Sequence, residues 1–122
     1  MGSGFRPRAV HELSIAQSIL DTVLEQADKH GAVRVLRIHL RIGQLTAVVQ
    51  EALDMAFEVL TRDTIAAHAR ITVERVPWRV RCSRCEHEYS VQNDLPTCSR
   101  CGHLGGETLG GRELQFVEMD IE

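Results

Sequence analysis

With 122 residues, 43% of them hydrophobic and 25% charged, the chain has room for one ordinary core or a small core with a satellite module, and not for two full domains. A net charge of -3 and a pI near 6.1 argue against bulk attraction to nucleic acid or to an anionic membrane. No run approaches membrane-spanning length, and the first ten residues, MGSGFRPRAV, lack the apolar stretch of a secretory signal. The expected setting is therefore cytoplasmic, with reduced thiols.

Residues 1 to 10 combine Gly2, Gly4 and Pro7 with two arginines and read as a flexible leader. From Leu13 the apolar residues Ala16, Ile19, Leu20, Val23, Leu24 and Ala27 recur at helical spacing, which predicts an amphipathic helix from about 12 to 30. Ser14 and Gln17 stand at capping-box spacing, and His30-Gly31 supplies a left-handed stop. Residues 33 to 42 predict a strand with Leu36, Ile38, Leu40 and Ile42 on its buried face and Arg37, His39 and Arg41 on the wet one. A second helix is expected from about 50 to 61 through Ala52, Leu53, Ala56, Phe57 and Leu60, and a second strand at 69 to 76, closed by Pro77.

The four cysteines follow, in the stretch CSRCEHEYSVQNDLPTCSRC. Cys82, Cys85, Cys98 and Cys101 form two CxxC pairs, and two thiolates at i and i+3 on each of two tight turns can close a tetrahedral shell around zinc. A segment of this size cannot bury enough apolar surface to fold without such a staple, so the module is expected to depend on its metal. A closed tetrathiolate site has no open position and is normally structural. Each pair is followed at the same offset by a histidine, His87 and His103, readable either as a group that tunes the metal environment or as a solvated loop residue.

Glycines 102, 105, 106, 110 and 111 suggest turns and a loose joint. The last eleven residues predict a strand whose apolar face switches phase, from Leu114 and Phe116 to Val117, Met119 and Ile121, with a β-bulge near Phe116 and Val117. The resulting fold class is α+β, a two-layer arrangement of two helices on a three-stranded sheet with an inserted zinc-ribbon module. The expected domains are the leader at 1–10, an α/β domain formed by 11–76 plus 111–122, and a zinc-binding domain at 77–110.

Two further features carry chemistry. His11-Glu12 at the start of the first helix is readable as a cap or as a metal site, since an imidazole, a carboxylate and uncommitted backbone amides suit nickel(II) or copper(II) better than zinc. The residue types leave that choice open. Arg75, Arg79, Arg81 and Arg84 surround Trp78, a pattern that fits either a nucleic-acid contact or a solvated strand face. Motifs for serine hydrolysis, phosphate binding and metalloprotease action are absent.

The segments His11-Glu12-Leu13-Ser14-Ile15-Ala16-Gln17-Ser18, Leu40-Arg41-Ile42-Gly43-Gln44-Leu45, Ala56-Phe57-Glu58-Val59-Leu60-Thr61, the paired CxxC motifs and Gly111-Arg112-Glu113-Leu114 together resemble the HypA/HybF family over residues 11 to 122. The resemblance implies a non-enzymatic nickel metallochaperone that assists nickel insertion into the nickel-iron hydrogenase large-subunit precursor, alongside a HypB-type GTPase. It implies structural zinc on Cys82, Cys85, Cys98 and Cys101 and transported nickel on His11 and Glu12. It further implies a monomer or weak homodimer with neither nucleic acid nor membrane as partner. Family members begin with methionine directly before this histidine. Here Val10 stands there, and a GTG codon read as a start predicts initiation at position 10. The alternative from the residues alone is a zinc-ribbon adaptor that binds nucleic acid or another protein through Arg79, Arg81 and Arg84.

Overall fold

The structure, a computed structural model, describes the backbone from residue 8 and the side chains from His11 onward. Among the described residues, two helices, a short 3-10 turn and six strands follow in the order α1 (Arg8–Lys29), β1 (Val35–Gly43), the turn Gln44–Thr46, α2 (Gln50–Leu60), β2 (Arg70–Val76), β3 (Arg79–Cys82), β4 (Glu88–Ser90), β5 (Gly106–Gly110) and β6 (Leu114–Ile121). The strands form two three-stranded sheets, ordered β2-β1-β6 and β4-β3-β5. The chain divides into two units. One takes the chain through Leu40, Val48–Val73 and Gln115–Glu122; the other takes Arg41–Ala47 and Glu74–Leu114.

In the first unit the helical apolar spacing becomes a buried face. Ala16, Leu20, Val23 and Ala27 of α1 are sealed, as are Leu53, Ala56 and Phe57 of α2 and Val35, Ile38 and Leu40 of β1. Each fully buried Leu, Ile or Phe contributes on the order of 2 kcal/mol. The opposite side of the sheet is tied by polar groups: Arg37 donates to Glu118 (2.7 Å), Asp120 (2.9 Å) and Thr72 Oγ1 (3.0 Å), and His39 Nδ1 lies 2.6 Å from the same hydroxyl. One guanidinium on the central strand thereby reaches both of its neighbours, which a lysine's single ammonium would not do with the same geometry.

Several sequence expectations change. The leader's last residues, Arg8 to Val10, are already helical, and residues 1–7 lie outside the described part. Because α1 starts at Arg8, Ser14 and Gln17 are interior to it, and Gln17 donates instead to Asp21 at 2.8 Å. The helix does stop as expected, with Gly31 left-handed at φ 66°. Strand β1 slips phase at its start: Val35 is buried and Leu36 is 43% exposed, so only Ile38, Leu40 and Ile42 of the expected set face the core. Strand β6 does change phase after Phe116 as expected, with Phe116, Met119 and Ile121 turned partly inward, but Leu114 and Val117 are exposed. A strict period of two cannot be followed through such slips.

The second unit is built on β3. Its register pairs Arg79, Val80 and Arg81 with Ser90, Tyr89 and Glu88 on one side, and Val80, Arg81 and Cys82 with Thr108, Glu107 and Gly106 on the other. Of the glycines expected to form turns and a loose joint, Gly106 and Gly110 lie in β5, while Gly102, Gly105 and Gly111 are left-handed, as turns require. Gly106 passes so close to β3 that an added Cβ would overlap the Arg81 carbonyl. Gly43 meets the Gly111 carbonyl in the same way. Val80, Cys82, Tyr89, Val91 and Cys98 form this unit's small core, with Trp78 and Cys85 packed against it.

Candidate metal centres

Cys82 closes β3, and the backbone then folds back so that Glu86 N–H donates to the Cys82 carbonyl (2.9 Å) and Cys82 N–H to the His87 carbonyl (2.8 Å). The second pair repeats this bond for bond: Gly102 N–H donates to Cys98 O (2.9 Å) and Cys98 N–H to His103 O (2.9 Å). The residues at the equivalent bend, Glu86 and Gly102, are both left-handed, at φ 66° and 79°. Sequence had shown the repeated histidine offset. The structure puts both histidines at one position of the repeat, where the backbone carbonyl, a group any residue supplies, receives the first cysteine's N–H.

The four Sγ atoms lie within 4.8 Å of one another, with 3.6 Å between Cys82 and Cys101 and between Cys85 and Cys98. A tetrahedron with zinc–sulfur bonds of about 2.3 Å has edges of about 3.8 Å, so the cage fits that ion. Each knuckle also aims two N–H groups at its first sulfur: Arg84 and Cys85 at Cys82 (3.3 and 3.5 Å), Arg100 and Cys101 at Cys98 (3.3 and 3.4 Å). For Cys98, burial raises the pKa but the donors Cys101 and Arg100 together with the thiols of Cys85 and Cys101 outweigh it, bringing the group down to about 6. Cys82 also falls below its usual range, through Cys85 N–H first and Arg84 N–H in addition, against burial. At Cys85 the His87 N–H pulls downward, but burial and the thiols of Cys98, Cys101 and Cys82 push it up to about 11. The first sulfur of each pair is thus shifted toward the thiolate, the form that binds metal. Four thiolates fit a structural zinc and leave no place for substrate.

His87 Nε2 sits 3.2 Å from Ser99 Oγ, its ring stacked on Tyr89 with centroids 6.3 Å apart. Arg79 pairs with Glu88 (3.5 Å), and Arg81 pairs with Glu88 (3.1 Å) and Glu107 (2.9 Å). Two of the arginines expected to face a nucleic acid are therefore occupied by carboxylates across the β4-β3-β5 sheet. Sequence reasoning passed over Gln44, whose carbonyl accepts the Trp78 N–H at 3.0 Å and whose amide donates to Asp94 at 3.3 Å. Its position directly after Gly43, at the end of the first strand, was the available signal.

His11 and Glu12 part company. His11 is exposed, whereas Glu12 is 1% exposed, with Oε2 accepting the Val49 N–H at 2.9 Å and Oε1 buried without a partner among the described residues. Successive helical side chains point about 100° apart, so neighbours in sequence meet different surroundings. Since the chain is already helical at Arg8, the uncommitted amides of the first turn of α1 lie at or before His11 and not at Glu12.

Comparison with known proteins agrees with this architecture. A family model described as "Hydrogenase/urease nickel incorporation, metallochaperone, hypA" matches residues 10–121. The hydrogenase maturation factor HypA of Geobacter metallireducens is 39% identical over 113 residues, covering 93% of this chain and all of the relative. Its counterpart from Solidesulfovibrio magneticus is 40% identical over 119 residues, with 93% and 100% covered. The solution structure of the Ni metallochaperone HypA from Helicobacter pylori shares the fold, with a TM-score of 0.63 at 20% identity, over 90% of this chain and 96% of that one. A second solution structure of a HypA protein gives 0.68 at 21% identity, over 93% and 97%. Through the model match and these relatives, the chain belongs to the HypA family of hydrogenase/urease nickel-incorporation metallochaperones, proteins that carry metal rather than act as enzymes.

Proposed function

We propose that this chain captures nickel(II) at the His11-Glu12 site, with the His11 imidazole as a donor, and passes it by ligand exchange to the nickel-iron hydrogenase large-subunit precursor. A HypB-type GTPase is its partner, the setting is cytoplasmic, and the carrier works as a monomer or weak homodimer. The observation that carries this reading is the contrast between the four sulfurs, closed around one another, and the His11 imidazole, exposed at the start of α1. A carrier has to release its cargo, and an exposed nitrogen donor releases faster than a closed thiolate cage. Nitrogen and oxygen donors also suit nickel(II), while four thiolates suit zinc.

Equilibrium dialysis of the zinc-loaded chain against nickel tests the site. His11→Ala is expected to abolish nickel binding and leave zinc content unchanged; equal affinity in the variant would refute it. The nucleic-acid adaptor reading is disfavoured by the ion pairs of Arg79 and Arg81, and salt-dependent RNA or DNA binding would be needed to restore it.

A further inference from the structure

We infer that the Glu12 carboxylate is a positioning group, a latch from α1 to the start of α2, and that it serves the metal site without being a ligand. The inference rests on the nickel reading above and assigns a role to the side chain within it. The first observation is burial. Glu12 is 1% exposed and both its oxygens face the interior of the first unit, so an ion held at the exposed His11 imidazole cannot reach them without the helix moving.

The second is what Glu12 holds. Val49 is the residue that begins α2: its carbonyl receives the first helical bond, from Leu53 N–H at 3.0 Å, and its side chain gives the helix no cap. The start of a helix carries unpaired N–H groups and a partial positive charge, and it is normally satisfied by a Ser, Thr, Asp or Asn at that position. Here a valine occupies it, and the bond from the other helix goes to the valine's own N–H, Glu12 Oε2 lying 2.9 Å from Val49 N; a capping box takes that bond from a Glu or Gln at the third helical position, where Ala52 stands.

The third is the sealing beneath. Ala16 and Leu20, one and two turns further along α1, are buried, as are Leu53, Ala56 and Phe57 on α2, so the two helices have a fixed packed face behind the latch. Fixing α1 by Glu12 fixes the backbone of His11, its immediate neighbour, and hence where the imidazole stands. Loss of the latch would weaken metal capture by letting the first turn shift while keeping the donor set the same.

Glu12→Gln and Glu12→Ala separate the two roles, because glutamine retains an acceptor for Val49 N–H and is a poor nickel ligand. The zinc-loaded full chain is used, with nickel(II) as the probe. Three quantities are read: nickel affinity, the nickel electronic absorption spectrum, and hydrogen exchange at the Val49 amide without nickel. In Glu12→Ala we expect Val49 exchange at least about tenfold faster and nickel binding about tenfold weaker, the effect of losing one bond to a charged acceptor. In Glu12→Gln both should stay within about threefold of the parent, since a neutral acceptor forfeits only part of that bond. The nickel spectrum should be the same throughout. Equal loss of affinity in both variants with a changed spectrum would make Glu12 a ligand and overturn the latch. Unchanged Val49 exchange in Glu12→Ala would overturn it as well. Should the alanine variant not fold, Glu12→Gln alone decides, by its affinity and spectrum. Failure of the nickel reading is seen separately, as nickel affinity unaltered in His11→Ala, and leaves the Val49 exchange comparison standing.

Discussion

The two knuckles of the second unit and the first turns of α1 are both places where metal-binding residue types gather, and they are built on opposite plans. In the knuckles every donor is brought in by the backbone, each first cysteine receives two N–H groups, and the four sulfurs close on one another. At α1 one side chain stands exposed and its neighbour is buried against α2. Completeness makes a site structural; an open face makes it suited to exchange.

The largest effect should come from breaking the closed plan. Cys98→Ser removes a buried thiolate of the cage, and since structural zinc supplies about 10–16 kcal/mol of apparent folding energy, the β4-β3-β5 sheet should unfold. Loss of dispersed amide signals from Val80 and Tyr89, together with zinc loss, would be the record of it. Retained signals would show that the small core of Val80, Tyr89 and Val91 suffices alone.

Backbone closeness is the next target. In Gly43→Ala the new methyl collides with the Gly111 carbonyl, which is backbone and cannot rotate away, so a loss of roughly 3 kcal/mol is expected in denaturant melts of the zinc-loaded protein. A loss under about 0.5 kcal/mol, the level of an ordinary surface change, would mean the two segments separate readily.

A gain is expected from Glu86→Gly. Glu86 holds a left-handed bend that its twin, Gly102, makes without a side chain. Relief of about 1–2 kcal/mol, less the extra unfolded-state freedom of glycine at about 0.5–1 kcal/mol, leaves a stabilisation of roughly 0.5 kcal/mol. A destabilised variant would mean that the Glu86 side chain makes a contribution of its own.

The smallest effect concerns the wet face of the β2-β1-β6 sheet. The hydrogen bond from Arg37 holds the Asp120 carboxyl below the usual range, against slight burial and with the Arg37 charge adding to the bond. A depressed carboxylate pKa contributes stability above the unfolded value and loses it as pH falls through the folded one. The deficit of Arg37→Ala in chemical denaturation should therefore be present at neutral pH and shrink on acidification well below about pH 4. A pH-independent deficit would assign it to lost packing of the arginine stem instead.

Much of this was legible in the sequence because it is carried by local patterns. The apolar spacing of Ala16, Leu20, Val23 and Ala27 placed α1's buried face, and Cys82, Cys85, Cys98 and Cys101 announced the cage by spacing alone. What stayed hidden depends on partners distant in sequence. Leu36 alternates correctly with Ile38 and is exposed, because the strand slips where nothing local marks it. Gly106 looked like slack until Arg81 was beside it, and His11 and Glu12 looked like one site until Val49 claimed the carboxylate.

The central claim is that two metals occupy two addresses with different chemistry, and X-ray absorption on a chain loaded with both tests it directly. At the zinc edge the account predicts four sulfur neighbours at about 2.3 Å. At the nickel edge it predicts nitrogen and oxygen neighbours with no sulfur. Sulfur around nickel in the zinc-loaded chain would contradict it, since the cargo would then be using the cage that is held to be closed.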